Sequence, residues 1–290
     1  MRVCFITLNY KDGHRSARLA QKCASFKSVD HVIVVDNNSM DNSIDILSKI
    51  TNESIDLIKS DSNVGFARGN NIGARYALQK YSPDYILFAN PDTKFTNSDV
   101  EACIKELETR PDLGLISMRM KNPDGSEARS CWRFHSYYYY VFSNIWAFRH
   151  FTNKKKQYTH FEHPFQYVDI VRGSFMCFRA KALAQANLFD SGTFLYYEEE
   201  MIAKRLSSIG YHVGLLTDHW YEHDQIEDVS SSDKNQPSYL FFKKCYDDSL
   251  TLLLEEYYKI NVLKRIILKA CLRYSRFEYK LIHYLKDLHV

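Results

Sequence analysis

The first 120 residues switch repeatedly between two hydrophobic periods, and no other property of the chain restricts its fold as much. Short apolar runs stand at Val3–Leu8, Val32–Val35, Ile55–Ile58, Tyr85–Ala89 and Leu113–Met118. Between them apolar residues recur at helical spacing: Leu19, Cys23 and Phe26, then Ile44 and Leu47, then Val100, Ile104 and Leu107. Ser98 followed by Glu101 reads as a capping box that opens the last of these helices. Strand–helix alternation of this kind predicts an α/β fold, with a mainly parallel sheet flanked by helices. Such sheets bind ligands beyond the carboxyl ends of their strands. There the chain carries Thr7-Leu-Asn9, Asp36-Asn-Asn-Ser39 and Asn90-Pro-Asp92. Any one of these is ordinary turn chemistry, but three at one edge point to a polar ligand.

Composition excludes several classes. With 38 Lys+Arg against 35 Asp+Glu the net charge is +3, too small to imply a nucleic-acid partner. The 45% hydrophobic content excludes a disordered chain. The seven cysteines are odd in number and widely spaced, without a Cys-x-x-Cys pair, so neither a disulfide framework nor a zinc site is indicated. Reduced thiols in a cytoplasmic setting are the simpler expectation. The N-terminal apolar run is too short for a signal peptide, and Val3 to Leu8 reads as a buried strand. No window is long and apolar enough to span a membrane; the uncharged run from Phe134 to Phe148 is broken by His135, Ser136, Ser143 and Asn144. Aromatic residues reach 14%, which suits sugar-stacking surfaces, membrane interfaces or simply a core.

Beyond residue 120 the pattern weakens through the tyrosines at 137–140, a helix face or a binding platform, and the basic run Lys154 to Lys156. It returns with a strand at Val168–Val171, a break at Arg172-Gly-Ser174 and a strand at Phe175–Phe178. A helix from about Tyr197 to Ile209, closed by Gly210, precedes a strand at Tyr211–Leu216. Residues 225–238 read as a linker, and 239–290 as helical, aromatic and basic. From Tyr257 to Val290, five Lys and three Arg against one Glu and one Asp give +6. Ile260, Leu263, Ile267 and Ala270–Cys271 recur there at helical spacing. Such a helix either lies on an anionic membrane surface or packs its apolar stripe on the domain.

Four segments carry candidate chemistry. In Asn63-Val-Gly-Phe-Ala-Arg-Gly-Asn-Asn-Ile-Gly73, glycines 65, 69 and 73 allow close backbone approach at a helix start, a weak phosphate-site signal that departs from G-x-G-x-x-G. Asp92, after an apolar strand, suits either a turn or a hard divalent cation holding a diphosphate. Glu198, Glu199 and Glu200 stand at a helix start, favourable against the dipole. Successive helical residues fan out by roughly 100 degrees, so at most one or two of these carboxylates face a common substrate. His219 and His223 come just after a strand.

Taken in order, Ile6-Thr-Leu-Asn-Tyr10, Val34-Val-Asp-Asn-Asn-Ser39, Asn63-x-Gly-Phe-Ala-x-Gly-x-Asn71, Asn90-Pro-Asp92, Gly173-Ser-Phe-Met176, Phe194-Leu-Tyr-Tyr-Glu-Glu199 and His223 resemble the family 2 glycosyltransferases. Within them the set looks most like the rhamnosyltransferase-type enzymes of bacterial surface polysaccharides (O-antigen or capsule). The resemblance covers roughly residues 1–224. It implies a GT-A catalytic domain over 1–224, with a nucleotide-binding part (1–120) and an acceptor and catalytic part (121–224), followed by the linker and helical extension of 225–290. It also implies a nucleoside-diphosphate sugar donor, with dTDP-rhamnose favoured and UDP-hexoses next, a divalent metal (Mg2+ or Mn2+), and a glycan or lipid-linked oligosaccharide acceptor. By matching position, Thr7 and Asp36 would hold the nucleoside, and Asn9, Asn63, Gly65 and Asn71 would lie near the donor and its phosphates. Asp92 would be the surviving acid of a D-x-D-like metal motif that begins here with Asn90, and His223 would complete the metal site. Glu199 matches the second acid of the family's Glu-Asp pair, the general base, flanked here by Glu198 and Glu200. The chain departs from the pattern in reading Glu198-Glu-Glu-Met201 for Glu-Asp-x-Asp, and in Thr217 where a proline is usual; His219 competes with His223.

Such chemistry is coherent in itself. A carboxylate takes the proton of an acceptor hydroxyl, and a metal neutralises the departing diphosphate. Two other readings share the sheet. A sugar-nucleotide nucleotidyltransferase would favour a Gly- and Lys/Arg-rich loop after strand one, which Asn9-Tyr-Lys-Asp-Gly13 matches poorly. A non-catalytic carbohydrate-binding or scaffold protein would bind sugars without turnover.

Overall fold

The computed structural model describes residues 1–146, 148, 161–224 and 239–287. Strands β1 (Val3–Asn9), β2 (His31–Asp36), β3 (Ile55–Lys59) and β4 (Tyr85–Ala89) run parallel in the order β3-β2-β1-β4. Helices α1 (Gly13–Ala24), α2 (Ser43–Ser48) and α3 (Gly65–Tyr81) connect them. Next come β5 (Thr93–Lys94), α4 (Asn97–Thr109), β6 (Leu113–Lys121), β7 (Glu127–Ala128), β8 (Cys131–Trp132) and α5 (Tyr137–Phe142). After β9 (Phe165–Val168) and β10 (Ile170–Val171), strand β11 (Phe175–Arg179) inserts antiparallel between β4 and β6. Helices α6 (Ala180–Gln185) and α7 (Glu198–Ser208) lead to the long β12 (His212–His223), which lies parallel to β6. Helices α8 (Tyr239–Leu252) and α9 (Val262–Asp287) end the described chain.

Side-chain alternation divides the apolar residues between the two faces of this sheet. Ile6, Ile33, Val35 and Phe88 pack on one face with Ala74, Phe178 and Ile202. Phe5, Val32, Val34 and Leu87 pack on the other with Cys103, Leu107 and Phe175. Full burial of such side chains is worth about 1.5–3 kcal/mol each, so both faces contribute to stability. A third cluster joins Tyr137, Tyr140 and Val141 of α5 to Met201 of α7 and to Leu250, Leu268 and Leu272 of the C-terminal helices.

Several local expectations shift. Helix α4 is capped by Thr96 with Asp99, not by Ser98 with Glu101, because Thr96 is the extended residue and Ser98 is already helical. Phe26 lies beyond the end of α1. The run at 168–171 divides: β9 pairs with β12, whereas β10 leaves to pair with β8, and Asp169 between them accepts the Phe134 amide. Strand β12 runs seven residues past Leu216, through a register shift between Leu216 and Trp220, so His219 and His223 lie within it. On α9 the buried stripe is Leu268, Leu272 and Ser275, while Leu263 and Ile266 face outward. The expected linker at 225–238 and the basic run at 154–156 lie outside the described residues.

Candidate active site

The ends of β1 and β2 form one hydrogen-bonded unit. Asn9 and Asp36 are register partners, and Asn9 Nδ2 donates to Asp36 Oδ1 at 2.7 Å and to Ser39 Oγ at 3.1 Å. The Asn9 oxygen accepts from Ser16 Oγ at 2.7 Å, and Asp36 Oδ2 accepts the Ser39 amide at 3.0 Å. Asn9 is thereby committed to orienting the Asp36 carboxylate, and both are fully buried. Thr7 is also fully buried, and its hydroxyl has no partner among the described residues.

The glycine-rich segment serves the protein's own packing. A Cβ on Gly69 would lie 2.5 Å from Leu8, and one on Gly73 2.6 Å from Ile6, so these glycines seat α3 on the sheet. The first amides of α3 are already taken: Val64 N–H donates to Asn37 Oδ1, Gly65 N–H to Asn63 Oδ1 and Phe66 N–H to the Phe194 carbonyl. Gly65 has φ +83, and a Cβ there would lie 2.2 Å from the Phe194 oxygen. The Asn71 amide spans Phe189, donating to its carbonyl at 2.9 Å and accepting its N–H at 3.0 Å. Asn71 and the Gly65–Phe66 turn therefore hold the chain around 189–194, which leads into α7, Asn63 braces that turn, and the Val64, Gly65 and Phe66 amides are engaged within the protein.

Asp92 and His223, 131 residues apart, meet with His223 Nε2 at 3.1 Å from Asp92 Oδ1. Sheet pairing delivers them: His223 is the register partner of Thr93, and the Asp224 amide donates to the Asp92 carbonyl. His219 instead faces Asp99 at the start of α4, 2.9 Å away. Among the described residues no group of three or more His, Cys, Asp and Glu gathers. One carboxylate and one imidazole nonetheless fit a cation that takes its remaining ligands from a diphosphate and water.

A cleft of about 740 Å³ opens beside this pair, lined by residues that include Asn90, His223, Gly173, Glu199, Trp132 and Tyr139. Helix α7 begins after two consecutive left-handed residues, Tyr196 (φ 78) and Tyr197 (φ 65), and its first three residues, Glu198, Glu199 and Glu200, all line the cleft but have different partners. Glu199 is half-buried and accepts the Gly173 amide at 3.1 Å. Glu200 is buried and accepts from Trp132 Nε1 at 2.9 Å. Glu198 is buried with Oε1 unpartnered among the described residues. A Cβ on Gly173 would sit 2.7 Å from Glu199 Oε1. Gly173→Ala is therefore expected to displace this carboxylate and slow turnover at least ten-fold, with a thermal midpoint within a few degrees of the parent. Paired kinetics and thermal melts check it.

Burial, then the neighbouring Glu199 carboxylate, pushes the Glu200 carboxyl up to about 8, and the same two causes push Glu198 up. A carboxyl whose pKa is raised on folding stabilises the native state fully below its unfolded value, and that contribution is lost as pH rises through its folded value. The melting temperature is expected to fall between about pH 5 and about pH 8, and Glu200→Gln to flatten that slope. Parallel melts across this range test it; an unchanged slope would count against a raised Glu200.

Thus Glu199 and His223 line one cleft and Asp92 contacts His223, whereas Asn9, Asp36, Asn63, Gly65 and Asn71 are engaged in hydrogen bonds within the protein and Thr7 is buried with its hydroxyl unpartnered among the described residues. Sequence reasoning left Asn37, Trp132, Arg129 and Arg172 without roles. Asn37 stood inside a quoted motif and Arg172 beside a noted break, whereas nothing local marks Trp132 or Arg129.

The family described as Glycosyl transferase family 2 matches residues 2–183. A low-salt glycan biosynthesis hexosyltransferase, Agl10 of Haloferax volcanii, is 24% identical over 238 residues, covering 82% of this chain and 72% of its own. The rhamnosyltransferase WbbL of Escherichia coli is 33% identical over 150 residues, covering 50% of this chain and 55% of its own. Among solved structures, GalNAc-T7 with UDP, GalNAc and Mn2+ superposes with a TM-score of 0.61 at 11% identity, over 89% of this chain and 49% of that one. The mannosyltransferase PcManGT of Pyrobaculum calidifontis, with GDP-Man and Mn2+, gives 0.55 at 13% identity, over 99% and 80%. This chain thus spans about half the length of WbbL and of GalNAc-T7.

Proposed function

The chain belongs to the glycosyl transferase family 2, and from that membership we propose an inverting, metal-dependent transferase that moves a sugar from a nucleoside diphosphate to a hydroxyl of a glycan or lipid-linked oligosaccharide. The fold is that of GT-A enzymes and the activity is glycosyl transfer. One observation supports the finer reading: His223, which contacts Asp92, and Glu199 line one cleft although the three residues come from separate parts of the chain. Glu199 takes the proton of the acceptor hydroxyl. The freed oxygen attacks the anomeric carbon opposite the diphosphate, whose bond to that carbon breaks, so one displacement inverts the centre. A divalent cation (Mg2+ or Mn2+) held by Asp92 and His223 would supply positive charge against the departing diphosphate. Thr7 and Asp36, at the carboxyl ends of β1 and β2, would receive the nucleoside, and Asn9 would keep the Asp36 carboxylate oriented. Asn63, Gly65 and Asn71 would act one step back, by holding the segment that carries Glu199.

The names of WbbL, a rhamnosyltransferase, and Agl10, a glycan-biosynthesis hexosyltransferase, support a rhamnosyl and then a hexosyl group as the sugar moved; the donor we propose is dTDP-rhamnose, then UDP-hexoses, and the setting surface-polysaccharide synthesis. Nucleoside-diphosphate release from a panel of sugar nucleotides, with and without Mn2+ or Mg2+, tests this. Pyrophosphate release from a nucleoside triphosphate and a sugar phosphate would instead mark a nucleotidyltransferase, and sugar binding without release a non-catalytic module.

We also assign the C-terminal helix to peripheral contact with an anionic membrane on the cytoplasmic side. No helix among the described residues is long and apolar enough to cross a membrane. While Leu268 and Leu272 pack inward, Leu263, Ile266, Tyr274, Phe277 and Leu281 form an outward stripe at helical spacing, flanked by Lys269, Arg273 and Lys280. Ile266 is 60% and Phe277 62% exposed, so both can change without opening the core. Sedimentation with phosphatidylglycerol vesicles is expected to be salt-sensitive and to be lost in Ile266→Glu/Phe277→Glu. Equal sedimentation of both proteins would sink the assignment.

A further inference from the structure

Two arginines in the cleft have no ion pair among the described residues. The antiparallel pairing of β8 with β10 continues one step, from Cys131 opposite Val171 to the Arg172 amide on the Ser130 carbonyl at 2.9 Å, which places Arg172 opposite the residue that follows Arg129. Both line the cleft. Other arginines of the fold pair with carboxylates: Arg119 with Glu127, Arg205 with Asp190, and Arg276 with Asp247. Among the described residues Arg129 and Arg172 have no ion pair and no side-chain hydrogen bond. The Arg129 guanidinium rests 4.8 Å from the centre of the Trp132 ring. Desolvation by the cleft wall lowers the Arg129 pKa although the residue is exposed at its rim; the nearby Tyr139 and Glu200 oppose this, and the like charge of Arg172 adds to it. Glu200, which could offset the charge, is tied to Trp132 and held toward its neutral form. Arg129 is exposed and Arg172 half-buried, so both guanidinium groups are accessible from the cleft, and a phosphate fits their planar forks.

We propose that Arg129 and Arg172 form an anion subsite beside Glu199 that takes a phosphate group carried by the acceptor, as in a diphosphate-linked sugar. This rests on the transferase reading above. Position selects the acceptor over the donor. Arg172 adjoins Gly173, whose amide holds Glu199, and Arg129 stands by Trp132 and Tyr139 on the α5 side. Asp92 and His223 meet where β5 pairs with β12, a different strand pairing from the β8–β10 one that carries the arginines. An acceptor with its hydroxyl at Glu199 would thus carry its own phosphate toward α5, the helix that also packs against α9.

Calorimetric titration with inorganic pyrophosphate in EDTA, which removes any metal-dependent route, tests this on the full chain. Arg129→Gln/Arg172→Gln is expected to weaken binding about ten-fold or more per guanidinium lost. Arg129→Lys/Arg172→Lys, which keeps the charge and loses the fork, should fall between the two. Binding of thymidine or uridine diphosphate in Mn2+ should be unchanged in both variants, which also shows that they fold. Equal pyrophosphate binding by all three proteins, or none by the parent, overturns the subsite. An equal loss of nucleoside-diphosphate affinity moves the arginines to the donor and overturns the acceptor assignment. None of these titrations involves turnover, so failure of the transferase reading would appear separately, as absent nucleoside-diphosphate release from sugar nucleotides.

Discussion

Glu199→Gln is expected to bind donor as the parent does and to transfer sugar about 100-fold more slowly or worse, the scale of a lost general base. The substitution is close to isosteric, and the amide oxygen of Gln can still accept the Gly173 N–H that orients residue 199. What disappears is the ability to take a proton. Its neighbours provide an internal comparison. Glu198 is buried, and Glu200 is bonded to the Trp132 indole. Glu198→Gln and Glu200→Gln should therefore alter stability more than turnover. Steady-state kinetics with donor and acceptor varied separately would show the Glu199 effect in kcat with donor KM unmoved. If either neighbouring change were the more damaging to kcat, the base would be misassigned by one residue.

Asp92→Ala is expected to abolish measurable transfer at a cost in stability of about 1 kcal/mol. Among the described residues its carboxylate pairs with His223 and with no other charged side chain, so the fold loses one contact at the sheet edge. The reaction, on the proposed reading, loses the anionic ligand of its cation. Turnover of the parent should fall on chelation and return with Mn2+ or Mg2+, whereas the variant should respond to neither. Unchanged turnover of the parent in EDTA would remove the metal and its assignment to Asp92 and His223 together.

The two halves of the site differ in how far they can be read from residues alone. The alternation of periods 2 and 3.6 between Val3 and Met118 is local, because each strand or helix buries a face set by its own few side chains. It therefore announces the parallel strands and, through topology, the edge where Asp36 and Asp92 stand. The role of Asn63 to Gly73 is less legible. Its glycines and asparagines look the same whether the backbone approaches a phosphate or the protein's own Leu8, Ile6 and Phe194, and only packing distances separate the two. The cap of α4 shows the same limit at smaller scale, since Thr96–Asp99 and Ser98–Glu101 both satisfy the pattern and backbone conformation chooses between them.

By itself the sequence determined the sheet class, the polar strand ends, the presence of three carboxylates at a helix start and a basic, amphipathic C-terminus, because each depends on neighbours within one or two turns. Tertiary structure decided the rest. The irregularity between Leu216 and Trp220 lets β12 continue far enough for His223 to pair beside Thr93 and so to meet Asp92. The left-handed entry at Tyr196 and Tyr197, with burial of Glu198 and the Trp132 bond to Glu200, leaves Glu199 as the glutamate held on the Gly173 amide in the cleft. Arg129 and Arg172 become neighbours only through β8 and β10. Each of these outcomes joins residues dozens to more than a hundred positions apart, and a periodicity that spans a few residues carries no record of which distant strand will lie alongside.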